Sequence, residues 1–363
     1  MKKKLIIGII SVLLILTGVG YGVGSFFVHY ALSPVSDSAK RNINEEDKID
    51  TAKGTEKVIL QNQKKEQKKA TEFKKTTSNA NITNNDNLKL QANYKVQEKE
   101  THKWAILIHG YKVNNNNMMS YGEKYYEKGY NVLLPNNRAH GNSEGNYIGM
   151  GWLDKDDIAC WVNWINKQDP NAKIILHGVS MGAATTMMAS GENLNNVVGY
   201  IEDCGYTSVW DIFASELDKR FSLPTFPVLN ISNGVAKLKA GYDFKEASSV
   251  DQLKKCQKPM LFIHGGKDDF VPTYMVYEVY DAANCEKDLY IVDEAGHAEA
   301  KDCDVDAYWN KVFSFINEKN GYIEMKNTEV FYDFSIFLIY SAETALSEKF
   351  ISFIFSGSSF SQK

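Results

Sequence analysis

Short apolar runs recur along the chain from about residue 88. They are Trp104–Ile108, Asn131–Leu134, Lys173–Leu176, Val197–Ile201, Met260–Ile263 and Leu289–Val292, each bounded by Gly, Pro, Asn or Asp. Runs this short with turn residues at their ends predict buried strands, and the alternation of Leu88–Tyr94 predicts a half-buried one. Helical patterns lie between most of them, at Met118–Lys128, Trp152–Gln168, Met181–Ala189, Tyr274–Ala283 and Val305–Glu318. Buried strands alternating with helices predict a doubly wound, mostly parallel sheet covered on both faces, an α/β fold. That domain is expected over 86–319.

Three regions break the pattern. Residues about 206–253 are mostly helical, contain Pro224 and Pro227, and fall between two strands; they predict a helical lid over the sheet edge. Residues 320–363 form an extension rich in Phe, Ser and Ile, to which no role is assigned. Near the start, Leu5–Phe27 is uncharged and strongly apolar through Leu16. About 20 apolar residues suffice to cross a bilayer as a helix. Gly18, Gly20, Gly22 and Gly24 lower helix propensity, yet glycines four apart are common in membrane helices. They are not a phosphate loop, because no strand precedes them and no βα unit surrounds them.

Lys2, Lys3 and Lys4 would stay cytoplasmic and leave the body outside. A cleaved secretory signal is the rival reading. No small-x-small site follows the apolar core, so 1–30 is expected to be an uncleaved, single-pass anchor in the cell membrane. Secretion after cleavage is the alternative. Residues 31–85 are rich in Lys, Glu, Gln, Asn and Thr and predict a charged stalk, with a solvated helix over Lys57–Lys75.

Composition narrows the class. The chain is 44% hydrophobic and 24% charged, which excludes wholesale disorder. A net charge of −4 gives no case for nucleic acid. Residues 40–103 hold 15 basic and 10 acidic side chains, whereas 104–363 hold 23 basic and 34 acidic, so the body is acidic and the arm basic. Five cysteines without a CxxC argue against a zinc knuckle or a thioredoxin motif. Buried free thiols are expected, with a Cys285–Cys303 bridge left open.

The sharpest chemical signal is Gly178-Val-Ser180-Met-Gly182 between an apolar strand and an Ala- and Met-rich helix. A serine on a strained strand-to-helix turn projects its hydroxyl from the sheet, and side chains at 178 and 182 would clash across such a turn. The helix beginning at Met181 aims free N–H groups at the reaction centre. A serine hydroxyl needs a base, and the base needs an orienting acid. His297 follows the strand Leu289–Val292, and it is the only histidine after residue 268. Asp268 and Asp269 both follow the strand Met260–Ile263, and either qualifies as the acid. All fall at the C-terminal strand edge, where open α/β sheets bind ligands. Backbone N–H groups of Met181 and Tyr111 are candidates for an oxyanion hole, the latter after His109-Gly110 at the end of an early strand. His140, His177 and His264 sit in turns or at strand ends and read as structural.

These motifs, together with Arg138-Ala-His140-Gly-Asn-Ser143 and His264-Gly-Gly-Lys-Asp268-Asp-Phe-Val-Pro272, resemble the α/β-hydrolase superfamily. More narrowly the chain is similar to bacterial membrane-anchored or secreted serine hydrolases near the esterase and S9-peptidase-like branch. The resemblance covers roughly Leu88–Lys319. It implies that the acid is the Asp three residues before Val-Pro, which is Asp268. One departure is Asn136-Asn137-Arg138-Ala139-His140, where relatives read Asp-x-Arg-Gly-His; it bears on that loop's geometry, not on the chemistry.

The expectation is therefore a carboxylesterase-like serine hydrolase. Ser180, His297 and Asp268 form its triad, and Tyr111 and Met181 stabilise the oxyanion. Its substrate is a small-molecule ester or a peptide, with no metal and no organic cofactor. Peptidase or acyltransferase activity on the same triad, and a non-catalytic binding protein on the same fold, are the alternatives.

Overall fold

The computed structural model describes residues 2–34, 49 and 52–319. The predicted extension over 320–363 and much of the join between anchor and stalk lie outside the described residues.

The first helix, α1 (Lys2–Leu32), runs straight through the four glycines. It is long and apolar enough to cross a membrane. Its first two-thirds are exposed on all sides, as at Leu5, Ile10, Leu14 and Val19. Its last turns are not: Val28 and Leu32 are fully buried among residues of the body.

The next helix, α2 (Gly54–Lys74), and strand β1 (Ser78–Thr83) lie inside the range that the sequence assigns to a stalk. Both are part of the folded body. Ile59, Ala70 and Phe73 bury a narrow stripe of α2, and β1 pairs antiparallel with β2 (Lys89–Lys95). The stripe is thin because Lys, Gln and Glu fill the rest of the helix. β1 is an edge strand, Ser-Asn-Ala-Asn-Ile-Thr, that buries only Ala80. Neither element has enough apolar residues for periodicity to detect.

The rest follows the predicted alternation. Strands β3 (Lys103–Ile108), β4 (Asn131–Pro135), β5 (Lys173–Val179), β6 (Val197–Asp203), β7 (Met260–Gly265) and β8 (Lys287–Val292) run parallel. The eight-stranded order is β1-β2-β4-β3-β5-β6-β7-β8, with β2 antiparallel to β4. Helices α3 (Met119–Glu127), α4 (Asp154–Gln168), α5 (Met181–Ser190) and α9 (Tyr274–Ala282) provide the crossovers. Strands β4 and β7 are buried along their whole length, as strands covered on both faces must be.

Between β6 and β7 stand α6 (Val209–Phe221), α7 (Thr225–Lys239) and the short α8 (Ser249–Leu253). Helix α7 packs along α1. A short helix, α10 (Ala300–Cys303), and a helix over 305–319 follow β8; residues from 313 onward belong to a second compact unit. All five cysteines are free, so the Cys285–Cys303 bridge is absent, and only Cys204 and Cys256 are fully buried.

Candidate active site

Strand β5 ends in a sharp turn. Ser180 sits there at φ 58°, ψ −120°, a left-handed conformation rare for a residue with a side chain. Its N–H donates to the Asp203 carbonyl at 2.8 Å, which ties the turn to the end of β6. A Cβ at position 178 would lie 2.0 Å from the Gly182 carbonyl oxygen, as the predicted clash across the turn requires. At 182 the obstacle is different: a Cβ would lie 2.0 Å from the Ile108 carbonyl oxygen at the end of β3. Gly182 thus lets the first turn of α5 press against a neighbouring strand.

His297 lies in the loop after β8, with Nε2 2.8 Å from Ser180 Oγ. Its Nδ1 is 2.8 Å from Asp268 Oδ2. Asp268 follows β7, and its Oδ1 accepts backbone N–H bonds from Phe270 at 3.0 Å and Val271 at 2.9 Å. Burial disfavours the charge of this carboxyl, but bonds from His264 and His297 outweigh it and hold the pKa at about 2. Asp269 has no part in this chain of contacts.

His264, at the end of β7, does more than a strand-end residue is expected to do. Its Nε2 lies 2.9 Å from the Val271 carbonyl and 3.3 Å from Asp268 Oδ2. It braces the loop that carries the acid. Burial lowers its pKa, while the Asp268 bond and the charge of Glu202 raise it further, so the net shift is upward. Only its spacing of four residues from Asp268 hints at this in the sequence.

His109, His140 and His177 lie outside this chain of contacts. His109 is held near a pKa of about 3 by burial and by the neighbouring His140. As neutral imidazole its Nε2 accepts from the Asn137 N–H at 3.0 Å. Arg138 forms a two-pronged bond to Asp157 at 2.7 and 2.8 Å, and Ala139 takes φ 60°.

Ser180 opens onto two spaces. One is a groove of about 700 Å³ with a mixed lining, bordered by Gln63, Gln67, Asn117 and His297 as well as Leu60, Val113 and Met118. The other is a mostly apolar cavity of about 230 Å³, bordered by α6, α7 and the end of α1. Tyr111, after β3, borders both. Met181 opens α5, so its N–H is among the first-turn donors that a helix leaves without an internal partner. Cys204, Asp268 and His297 have ligand atoms within 4.8 Å of one another. Both ring nitrogens of His297 are already engaged, so a metal ion there would have to displace the serine or the aspartate contact.

Residues 99–222 match the family model described as serine aminopeptidase, S33. The chain is 31% identical over 231 residues to "Uncharacterized protein YqkD" of Bacillus subtilis (strain 168), covering 63% of this chain and 76% of that protein. The chain belongs to the α/β-hydrolase superfamily. It is also 25% identical over 204 residues to "Uncharacterized membrane protein YNL320W" of Saccharomyces cerevisiae, covering 55% of this chain and 64% of that one. Among solved structures, Pyrococcus furiosus esterase Pf2001 aligns with a TM-score of 0.54 at 23% identity, over 67% of this chain and 92% of its own. The α/β hydrolase GrgF from Penicillium aligns with a TM-score of 0.53 at 18% identity, over 67% and 98%. At such identities these likenesses speak to the fold alone.

Proposed function

We propose that this hydrolase cleaves carboxylic esters with Ser180 as nucleophile, His297 as general base and Asp268 as the orienting acid. The observation that carries the reading is the unbroken path of two 2.8 Å contacts from hydroxyl through imidazole to carboxylate. Ser180 Oγ bonds to the ester carbonyl carbon and its proton passes to His297 Nε2. The tetrahedral oxyanion is held by the N–H groups of Tyr111 and Met181. Collapse breaks the C–O bond, and His297 protonates the departing alcohol. A water molecule, deprotonated by the same imidazole, then attacks the acyl-enzyme, releasing a carboxylic acid and regenerating Ser180. Asp268 stays ionised throughout and stabilises the imidazolium.

The helices of 206–253 act as a lid that shapes the apolar side of the site. Helix α1 acts as a single-pass anchor with the body outside the cytoplasm. The aminopeptidase description of the matched family supports a second reading, amide cleavage by the same residues.

A screen of p-nitrophenyl esters of graded chain length beside aminoacyl amides decides between them. Turnover of short and medium esters, lost in Ser180→Ala, is the expected result. Preferential amide turnover would select the second reading, and equal turnover by the Ala variant would defeat both.

A further inference from the structure

A membrane-spanning helix ordinarily ends where the bilayer ends, and its last four carbonyls need new partners. Here the body supplies partners for three of them, and the Ser33 N–H caps that of His29 at 3.1 Å. Tyr111 Oη donates to the Ala31 carbonyl at 2.5 Å, Lys112 Nζ to that of Tyr30 at 2.8 Å, and the Ile148 N–H to that of Leu32 at 2.8 Å. Two of these donors sit in the loop that carries the proposed oxyanion N–H. Apolar contacts extend the attachment. The Phe27 ring meets Phe221 edge-on at 5.2 Å. Gly24 lies so close to α7 that a Cβ there would be 2.8 Å from Val235 and 3.1 Å from Ile231.

The docked end of α1 also walls the cavity beside the nucleophile. Phe27, Val28 and Ala31 face Ile212, Leu217 and Leu229 across about 230 Å³, with Ser180 on the same lining. The exposed apolar stretch from Leu5 to Val23 spans 19 residues, or about 28 Å at 1.5 Å per residue, close to the thickness of a hydrocarbon core. The cavity begins at Phe27, only about 6 Å further along the helix axis. Opposite Tyr21, at the upper end of that stretch, α7 carries Lys239, whose Nζ lies 5.3 Å from the Tyr21 ring centre, and beside it Leu238, 80% exposed. An exposed leucine beside a lysine and a tyrosine suits a membrane–water interface.

We infer that the cavity is an acyl-chain site whose wall is the anchor itself, and that the substrate is a long- or medium-chain ester resident in the bilayer that α1 spans. This rests on the serine-hydrolase reading above and names its substrate class. The chain of such an ester slides along α1 into the cavity, and its carbonyl meets Ser180. The alcohol portion leaves through the larger groove, on the side bordered by Gln63, Gln67 and Asn117. A cleaved leader would remove one wall of the site, so α1 is retained in the working enzyme.

The test uses the full chain in phosphatidylcholine–phosphatidylglycerol vesicles, treated with a decyl fluorophosphonate bearing a diazirine at the far end of its chain. After irradiation, the expected product carries phosphorus on Ser180 and a cross-link within 27–32 or on α6. An adduct on Ser180 cross-linked only to Gln63, Gln67 or Asn117 would overturn the inference and leave the hydrolase reading standing. Absence of any Ser180 adduct would overturn both.

Two further readouts bear on the same point. In Val28→Trp, which fills the cavity from α1, the ratio of kcat/KM for p-nitrophenyl decanoate over acetate is expected to fall at least tenfold. A ratio within twofold of wild type would contradict the site. p-Nitrophenyl palmitate placed in the enzyme's own vesicles should turn over at least tenfold faster than in separate vesicles, and equal rates would contradict a bilayer source.

Discussion

The two sides of the site are built from different kinds of structure. The edge that carries Ser180, Asp268 and His297 hangs from the ends of β3, β5, β7 and β8, strands hydrogen-bonded into one sheet. The apolar side is made of three helices, α1, α6 and α7, whose positions depend on side-chain packing and on a few capped carbonyls. The sheet edge leaves almost no room: a Cβ at position 178 or 182 would lie 2.0 Å from a backbone carbonyl oxygen. The helical side has give, since the atoms that crowd Gly24 belong mostly to the Val235 and Ile231 side chains. A rigid edge holds reacting atoms in register, while a helical wall can be altered to suit a substrate without disturbing them.

Substitutions should separate the two sides by size of effect. Asp268→Asn should lower kcat for ester hydrolysis by about 10³–10⁴, the cost expected when the base loses its orienting charge. A loss below tenfold in steady-state kinetics would show that Asp268 is not the orienting acid.

Gly182→Ala should cost about 3 kcal/mol in denaturant unfolding, because rigid backbone on β3 must move to admit the methyl. Gly24→Ala should change stability by less than about 1 kcal/mol, since helix propensity favours Ala and Val235 can turn aside. Similar costs at the two positions would erase the contrast between edge and wall.

The sequence made the edge legible and the wall opaque, for a physical reason. Ser180, Asp268 and His297 each follow an apolar strand within a few residues, so the strand run locates the loop and the loop chemistry locates the side chain. His264 stands in the sequence as a strand-end histidine four residues before Asp268, and the contact between them is set by the fold of the loop. The docking of α1 left no mark at all. A helix that is apolar all round has the same composition whether lipid or protein covers a given face, so Val28 and Leu32 look like Ile9 and Leu13. The charged segment before residue 86 misled in the opposite sense, since a thin stripe on α2 and one buried alanine on β1 suffice to bind them to the body.

Two smaller effects sharpen the account of the edge. Asp268 is held at a pKa of about 2, below its unfolded value near 3.9, so its folded-state charge contributes stability that is complete above about pH 4. That contribution, about 2 kcal/mol, should vanish as pH falls through about 2, and Asp268→Asn should flatten this part of the stability–pH curve. A variant that kept the wild-type slope between pH 4 and 2 would place the acid sensitivity elsewhere. Ala139→Gly should raise stability by about 0.5 kcal/mol, because position 139 holds φ 60°. A loss on thermal unfolding would mean that the alanine methyl contributes packing that outweighs its backbone strain.

The central claim is that one hydroxyl, activated by one imidazole, performs the chemistry. Rapid mixing of the full-length protein with p-nitrophenyl acetate, followed by acid quench and peptide mass mapping, tests it directly. The account predicts a burst of p-nitrophenol stoichiometric with enzyme and an acetyl group on Ser180, both abolished in His297→Ala. A linear release with no acyl group on Ser180, or a burst that survives loss of His297, would contradict it.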